Sequence, residues 1–410
     1  MNHSSTRLSF IVFIALIAGS THVRAQEIWC SIWSTSADRP SGMYALDASA
    51  ADTAFTLLKP DSTLVANAGC CWWNNSYYVV NYTMVDGRGI TNYSACNVND
   101  FKPVYTEQVT QSGYIALASG TDPASGITYG CFSSNGGFGQ EWGKVNYRTL
   151  DDKVSIKTLD KMLLAVAIDA KGQAWAVDAD GNLLKVDKET GEQTLVGPTG
   201  VKSATQQCAD FDPNTGKLYW SVEPTGSTSG LYTIDPATGH ATLVKQFAHN
   251  EYVLGMHMLK SPSPQAPARV ANLAVVPDYN YGGTVKFTMP SKRVDGSDIT
   301  APYDYYIVNG LDTLSHGTAA PSQPVEWSFG FSNFLWGDQT FIVLTRNEAG
   351  FSAQARKFVN IPTTSTGVGG VKTTAVAADG AYYDLNGRRV TAPARGTIYI
   401  HNGKKVKLSR

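Results

Sequence analysis

The chain has 410 residues, a formal net charge of −1 and only 16% charged side chains, with acidic and basic residues interspersed. That balance excludes a nucleic-acid binder, which needs a basic face or stripe. With 11% aromatics and 38 glycines the composition is that of an exported all-β protein, and the length exceeds one ordinary domain.

Residues 1–25 read as a secretory signal peptide. Arg7 supplies the positive start, SFIVFIALIAGS the apolar core, and the segment ending at Ala25 a small-residue cleavage site. The apolar run is about a dozen residues, where a membrane helix needs about 20. Export is expected, to the cell surface, the medium or the periplasm. Six cysteines follow: Cys30, Cys70, Cys71, Cys96, Cys131 and Cys208. An even count in an oxidising compartment permits three disulfides; buried free thiols are the other reading. Cys70 and Cys71 adjoin in a strand-like stretch and so point to opposite faces.

Residues 26–260 carry a repeat. AVAIDAKGQAWAVDADGNLLKVDKETGEQTLVG, from Ala165, and ADFDPNTGKLYWSVEPTGSTSGLYTIDPATGHATLV, from Ala209, each read as four short strands joined by turns. A unit of roughly 40–45 residues with four strands is a β-propeller blade. The residue ending the third strand marks the register at Asp187 and Asp235, and by spacing at Arg148, Asn97 and Asp47. That makes about five blades. The chain enters on a second strand, EIWCSIWS, and leaves on a lone first strand, EYVLGMHML, so the last strand should close the first blade. The two clear repeats resemble secreted bacterial propellers of the NHL and YncE-like type, most of which bind rather than catalyse.

After a Pro-rich linker at 261–267, residues 268–362 show strands at β-sandwich spacing. VLTRNEAGFSAQARKFV resembles the last hairpin of a fibronectin type III domain, with Phe287 and Phe341 where that family has Trp and Tyr. A small-residue linker at 363–380 leads to a tail at 381–410, read as two or three short strands. Its YYDLNGRRV and GTIYI segments resemble the C-terminal sorting tails of exported Bacteroidota proteins, which implies delivery to the outer surface. Asp52-Thr53-Ala54, Asp61-Ser62-Thr63 and Asp312-Thr313-Leu314 resemble the O-glycosylation triplets of that phylum, making Thr53, Ser62 and Thr313 candidate acceptors.

Enzyme motifs are missing, and no metal or cofactor site is expected. The ligand-binding candidates lie on loops joining second and third strands. TSADRPSG carries Arg39, MVDGRGIT carries Arg88, and the Gly-rich SSNGGFGQEWG carries Phe138, Gln140, Glu141 and Trp142. Large aromatics on a Gly-rich loop mark contact sites; folding back over their own blade is the other reading. Trp72 and Trp73 are ambiguous, since alternation puts one in the core and lets the other approach the pore. The expected function is that of a secreted or surface-displayed, monomeric binding or adhesion protein with a glycan or protein ligand. A propeller glycoside hydrolase, drawing on Asp86, Asp122, Glu141 or Glu223, and a structural scaffold are the alternatives.

Overall fold

The computed structural model describes residues 27–362 and 381–407, except 35–38, 51–54, 87, 111–114, 134–139, 149–153, 204–206, 248–250, 279–280, 385–387, 395–397 and 402–403. The expected signal peptide, Thr53 and Phe138 lie outside the described residues. Apart from two 3-10 turns, every regular element is a strand. No helix among the described residues is long and apolar enough to cross a membrane.

Strands β1 (Glu27–Ser34), β2 (Gly42–Asp47) and β3 (Phe55–Lys59) begin the first antiparallel sheet. The second is β4 (Cys70–Trp73), β5 (Ser76–Val85), β6 (Arg88–Asn97) and β7 (Pro103–Thr110). The third is β8 (Ile115–Thr121), β9 (Thr128–Ser133), β10 (Gln140–Val145) and β11 (Val154–Thr158). The fourth is β12 (Leu163–Ile168), β13 (Ala174–Asp178), β14 (Asn182–Val186) and β15 (Gln193–Pro198). The fifth is β16 (Cys208–Phe211), β17 (Leu218–Val222), β18 (Gly230–Ile234) and β19 (Ala241–Gln246). Strand β20 (Glu251–Met258) then returns to the first sheet and pairs with β1, from Ile28↔Met258 to Ser34↔Glu251. The result is five four-stranded antiparallel sheets in a propeller-like array.

The residue pattern explains which strands lie inside. LLAVAI of β12 and AWAVD of β13 are buried at every position, so they read as unbroken apolar runs. QTLVGP of β15 is mostly exposed, as an outer edge requires. The first strands β4, β8, β12, β16 and β20 neighbour one another in turn, and Trp72 of β4 stacks on His257 of β20, 5.1 Å between centroids. Close approach here needs small residues. A Cβ on Gly120 would lie 3.0 Å from the Ala167 backbone, and one on Gly255 would lie 3.0 Å from Cys70 Sγ.

Each third strand hands over to a side-chain-capped turn. Asp47, Asn97, Asn146, Asp187 and Asp235 each accept the backbone N–H two residues on, at 2.8–3.1 Å. In the third sheet the cap is Asn146, not Arg148, whose own N–H and Nε both donate to Asn146. The expected register mark there is displaced by two residues, because the turn needs a side-chain acceptor, which Asn146 has and Arg148 lacks.

Strands β21 (Ala274–Pro277), β22 (Gly283–Thr288), β23 (Tyr303–Asn309), β24 (Asp312–Ala319), β25 (Pro324–Phe329), β26 (Gly337–Asn347), β27 (Gly350–Phe351) and β28 (Ala355–Ile361) form two sheets. One has the order β21-β22-β25; in the other β23 and β28 flank β26. Val285, Phe287, Ile307, Phe341 and Val343 are buried in one core between them. Residues 362–410 form a separate compact unit. It holds four short strands, β29 (Tyr382–Tyr383), β30 (Arg389–Val390), β31 (Ile398–His401) and β32 (Lys404–Lys407), in one sheet, more than the two or three expected. His401 stacks on Tyr382 at 4.2 Å.

The β21–β28 domain is anchored to the five-sheet array by Arg356 of β28. Its guanidinium donates to the Asn99 and Val98 carbonyls at 2.8 and 2.9 Å and lies 4.2 Å from the Trp29 ring centroid. Burial lowers its pKa to about 9, so it stays charged at neutral pH. Asn99 Nδ2 donates to the Gly310 carbonyl beside it, at 2.8 Å. Arg356→Ala should cost about 2–3 kcal/mol, the range for hydrogen bonds from a charged donor. Urea unfolding followed by tryptophan fluorescence should show the loss, and Arg356→Lys, which lacks the planar fork, should recover little of it.

Candidate functional site

Of the six residues expected to bind ligand, Phe138 lies outside the described residues, and Trp142, Gln140, Glu141 and Arg39 take separate places. Trp142 is fully buried in β10, opposite Cys131. Its Nε1 donates to the Lys188 carbonyl at 3.0 Å and its ring faces Tyr129. The expected exposed aromatic is therefore a contact between the third and fourth sheets, because strand pairing continues into the end of the Gly-rich loop. Gln140 and Glu141 are half-buried in the same strand. Arg39 pairs with buried Glu251 at 3.0 Å and lies 4.9 Å from the Phe55 centroid. Arg88 starts β6. On this side of the sheets the exposed aromatic is Trp33, at the end of β1 and 5.4 Å from Tyr252.

The hydrolase candidates are dispersed as well. Asp122 follows β8 on one side of the array and is held by Lys188 at 2.9 Å. Glu223 follows β17 on the opposite side and accepts from Tyr252 Oη at 3.2 Å. Asp86 sits in the exposed β5–β6 turn with φ 50°. Among the described residues no group of three or more His, Cys, Asp or Glu could hold a metal ion. Ser62 and Thr313, the two described glycosylation candidates, are both exposed.

The cysteines correct the disulfide expectation: all six are free thiols. Cys30, Cys96, Cys131 and Cys71 lie in four different apolar cores, which keeps them apart. Cys208 Sγ donates to the Val253 carbonyl at 3.2 Å and Cys71 Sγ to the Gly126 carbonyl at 3.5 Å, roles a disulfide sulfur cannot fill. Burial pushes the thiol of Cys96 up to about 12 and that of Cys131 up to about 11. As expected from alternation, Cys70 and Cys71 face opposite ways, Cys70 toward the central channel and Cys71 into the core with Phe132.

That channel lies among the inner strands of the array. All five first strands line it, and it encloses about 440 Å³. Small residues, Ala66, Gly69 and Ala116, line the N-terminal ends of the strands. The C-terminal ends bring up Trp72, Asp169, Trp175, Asp210, Phe211 and His257. These are fixed by their own partners. Trp175 Nε1 donates to Asp169 Oδ2 at 3.2 Å. Asp210 Oδ2 accepts the Met258 N–H at 2.8 Å and faces His257 Nδ1 at 3.6 Å. Trp175, on second strand β13, both packs in a core and reaches the channel. His257 belongs to the channel.

A second cavity, of about 740 Å³, lies between the five-sheet array and the β21–β28 domain. Trp72, Pro123 and His257 line both cavities. Sequence reasoning flagged Trp72 and Trp73 but missed this cleft, since its far wall, Phe351 to Gln354, comes from the other domain.

No protein-family profile and no curated protein sequence matches the chain. Solved structures resemble it only distantly. TolB from Acinetobacter baumannii is 13% identical, covering 66% of this chain and 62% of its own, with a TM-score of 0.34. PorZ, a surface component of the type-IX secretion system of Porphyromonas gingivalis, is 10% identical over 78% of this chain and 62% of its own, TM-score 0.32. The Malassezia sympodialis allergen Mala s 1 is 9% identical over 83% and 88%, TM-score 0.29. The chain thus spans less than two thirds of TolB and PorZ, and likeness this low says nothing of ligand or activity.

Three outcomes check the site as described. Trp142→Ala should lower stability by about 3–5 kcal/mol, as for other buried large-to-small changes, read from chemical denaturation. Unfolding without reductant should release six titratable thiols; fewer would mean disulfides. For Asp122, burial alone would raise the carboxyl, but the hydrogen bonds from Lys188, the Ala124 N–H and Ser125 outweigh it and hold it below its ordinary 3.8. Its contribution is complete above that value and lost as the pH falls through the lowered one. Asp122→Asn should therefore lose stability at neutral pH and approach the wild type in strong acid, as seen in melting curves across pH.

Proposed function

We propose that the protein is an exported, surface-associated binding protein that takes a neutral glycan in the central channel. In this reading the five sheets are the blades of a closed five-bladed propeller, and the β21–β28 domain is a fibronectin type III-like sandwich. The tail from 381 is a sorting segment. The order β21-β22-β25 against β24-β23-β26-β28, with Phe287 and Phe341 in its core, supports the sandwich assignment.

One observation carries the functional reading. The channel end gathers the aromatic side chains of Trp175 and Phe211, with Trp72 stacked on His257 beside them, around fixed polar groups, and the Asp210–His257 contact is internal. Aromatic faces stack on the CH faces of sugar rings, and amides and hydroxyls such as Gln207 and Thr121 exchange hydrogen bonds with sugar hydroxyls. A pocket of this size, apolar with a few convergent polar groups, is the usual form of a small-ligand site. Among the described residues the cation that lines it is a single lysine, Lys171, not a paired clamp for a phosphate or carboxylate.

The test is a glycan-array screen with the mature chain beside Ser119→Phe. Ser119 is half-buried and lines the channel, so a phenyl ring there fills the lumen without removing a core contact. A sugar hit should weaken about tenfold or more in the variant, equivalent to about 1.4 kcal/mol, with the melting temperature unchanged. A hit that ignores the filled channel would sink the reading.

A further inference from the structure

We infer that the channel and the interdomain cleft are the inner and outer parts of one elongated site, and that its ligand is an extended neutral oligosaccharide chain. This rests on the channel reading above and adds the length and the path of the ligand. The first support is continuity. The two cavities share Trp72, Pro123 and His257, and the stacked Trp72–His257 pair stands at their junction, its planes 10° apart. Both volumes lie in the range of about 300–1,000 Å³ typical of ligand pockets. A ligand occupying only the channel would leave the larger cavity unused.

The second support is the chemistry of the cleft wall. The run Trp72-Trp73-Asn74-Asn75-Ser76 lines it without a break. It presents the half-buried Trp73 indole, two carboxamides and a hydroxyl, a set that stacks on sugar rings and both donates to and accepts from their hydroxyls, while Trp72 is itself stacked between Tyr77 and His257. The facing wall adds Phe351, Ser352 and Gln354 from the second domain. Charge is neutralised inside the cleft: Glu27 is bonded to Arg269 and His257 faces Asp210, while Lys260 stands exposed at the rim. A phosphate or a carboxylate finds no paired cationic donors there, which favours a neutral chain.

The third support is backbone strain at this wall. Asn74 and Asn75 form the tight turn between β4 and β5, both with positive φ, 46° and 63°. Such a turn favours glycine, above all at its second position. Two asparagines hold it instead, exposed, and among the described residues neither carboxamide is hydrogen-bonded. Only the Asn75 carbonyl is engaged, by the Val98 N–H at 3.2 Å. Strain kept where a cheaper residue would serve points to use of the side chains.

The experiment is calorimetric titration of the mature chain with ladders of neutral gluco-, galacto- and mannooligosaccharides, from monosaccharide to hexasaccharide. For the ladder that binds, affinity should rise with length by about tenfold or more between monosaccharide and tetrasaccharide. The Asn74→Gly/Asn75→Gly double variant keeps the turn and should bind the monosaccharide unchanged while losing that gain. Length-independent affinity, or a ladder unchanged in the double variant, would overturn the inference while leaving the channel reading intact. A ladder sensitive to the double variant but not to Ser119→Phe would overturn the continuity and the channel reading together. Binding of peptides or charged sugars in place of every neutral ladder would overturn the ligand class.

Discussion

The pairing of β20 with β1 is the constraint on which the architecture depends. It joins residues from the two ends of the repeat region in seven register pairs, from Ile28↔Met258 to Ser34↔Glu251. Without it β1 would be a free inner edge and β20 would have no sheet. The same pairing sets the site, because β20 supplies His257 and Met258, and the Met258 N–H fixes Asp210. The stack of His257 on Trp72 then joins the first sheet to the second. Closure and site construction are one event.

The second domain is held by a different kind of contact. Arg356 carries a charge into a buried place, where it is tolerated because two carbonyls and the Trp29 face receive it. Removing one side of such an arrangement leaves the other unsatisfied, so the contact specifies a docking geometry more than it adds net stability. Arg269 with Glu27 and Asn99 with Gly310 repeat the pattern along the same seam. The cleft exists because these polar contacts hold the domains at one margin and leave space at another.

Much of the fold was legible in the residues. The period of the two clear repeats, the entry on a second strand and the exit on a lone first strand are local signals, and the sheet order agrees with them. The Asx-capped turns were legible too, except where Asn146 lies two residues before the mark inferred from spacing. The site was not. Glycines around Trp142 suggested exposure, but the ring's partners, Lys188 and Tyr129, come from a neighbouring sheet and its own preceding strand. The cysteine count suggested bridges, yet Cys30, Cys71, Cys96 and Cys131 lie in four different cores, and Cys208, which shares a core with Cys30, spends its thiol on the Val253 carbonyl. The cleft depends on Trp72 and Phe351 facing each other across domains, a juxtaposition no local pattern encodes.

The position of β20 also bears on how the chain comes to be folded. Most strands pair with a sequence neighbour and can form hairpins as soon as they emerge. The first sheet cannot be finished until residue 258 is available, a closure over nearly the whole repeat region, which is slow because long-range pairing must be reached before it is rewarded. Until then the inner edge of β1 stays open and the channel has four walls rather than five. A chain in that state retains an unpaired strand edge, so the complete channel is the last part of the array to appear.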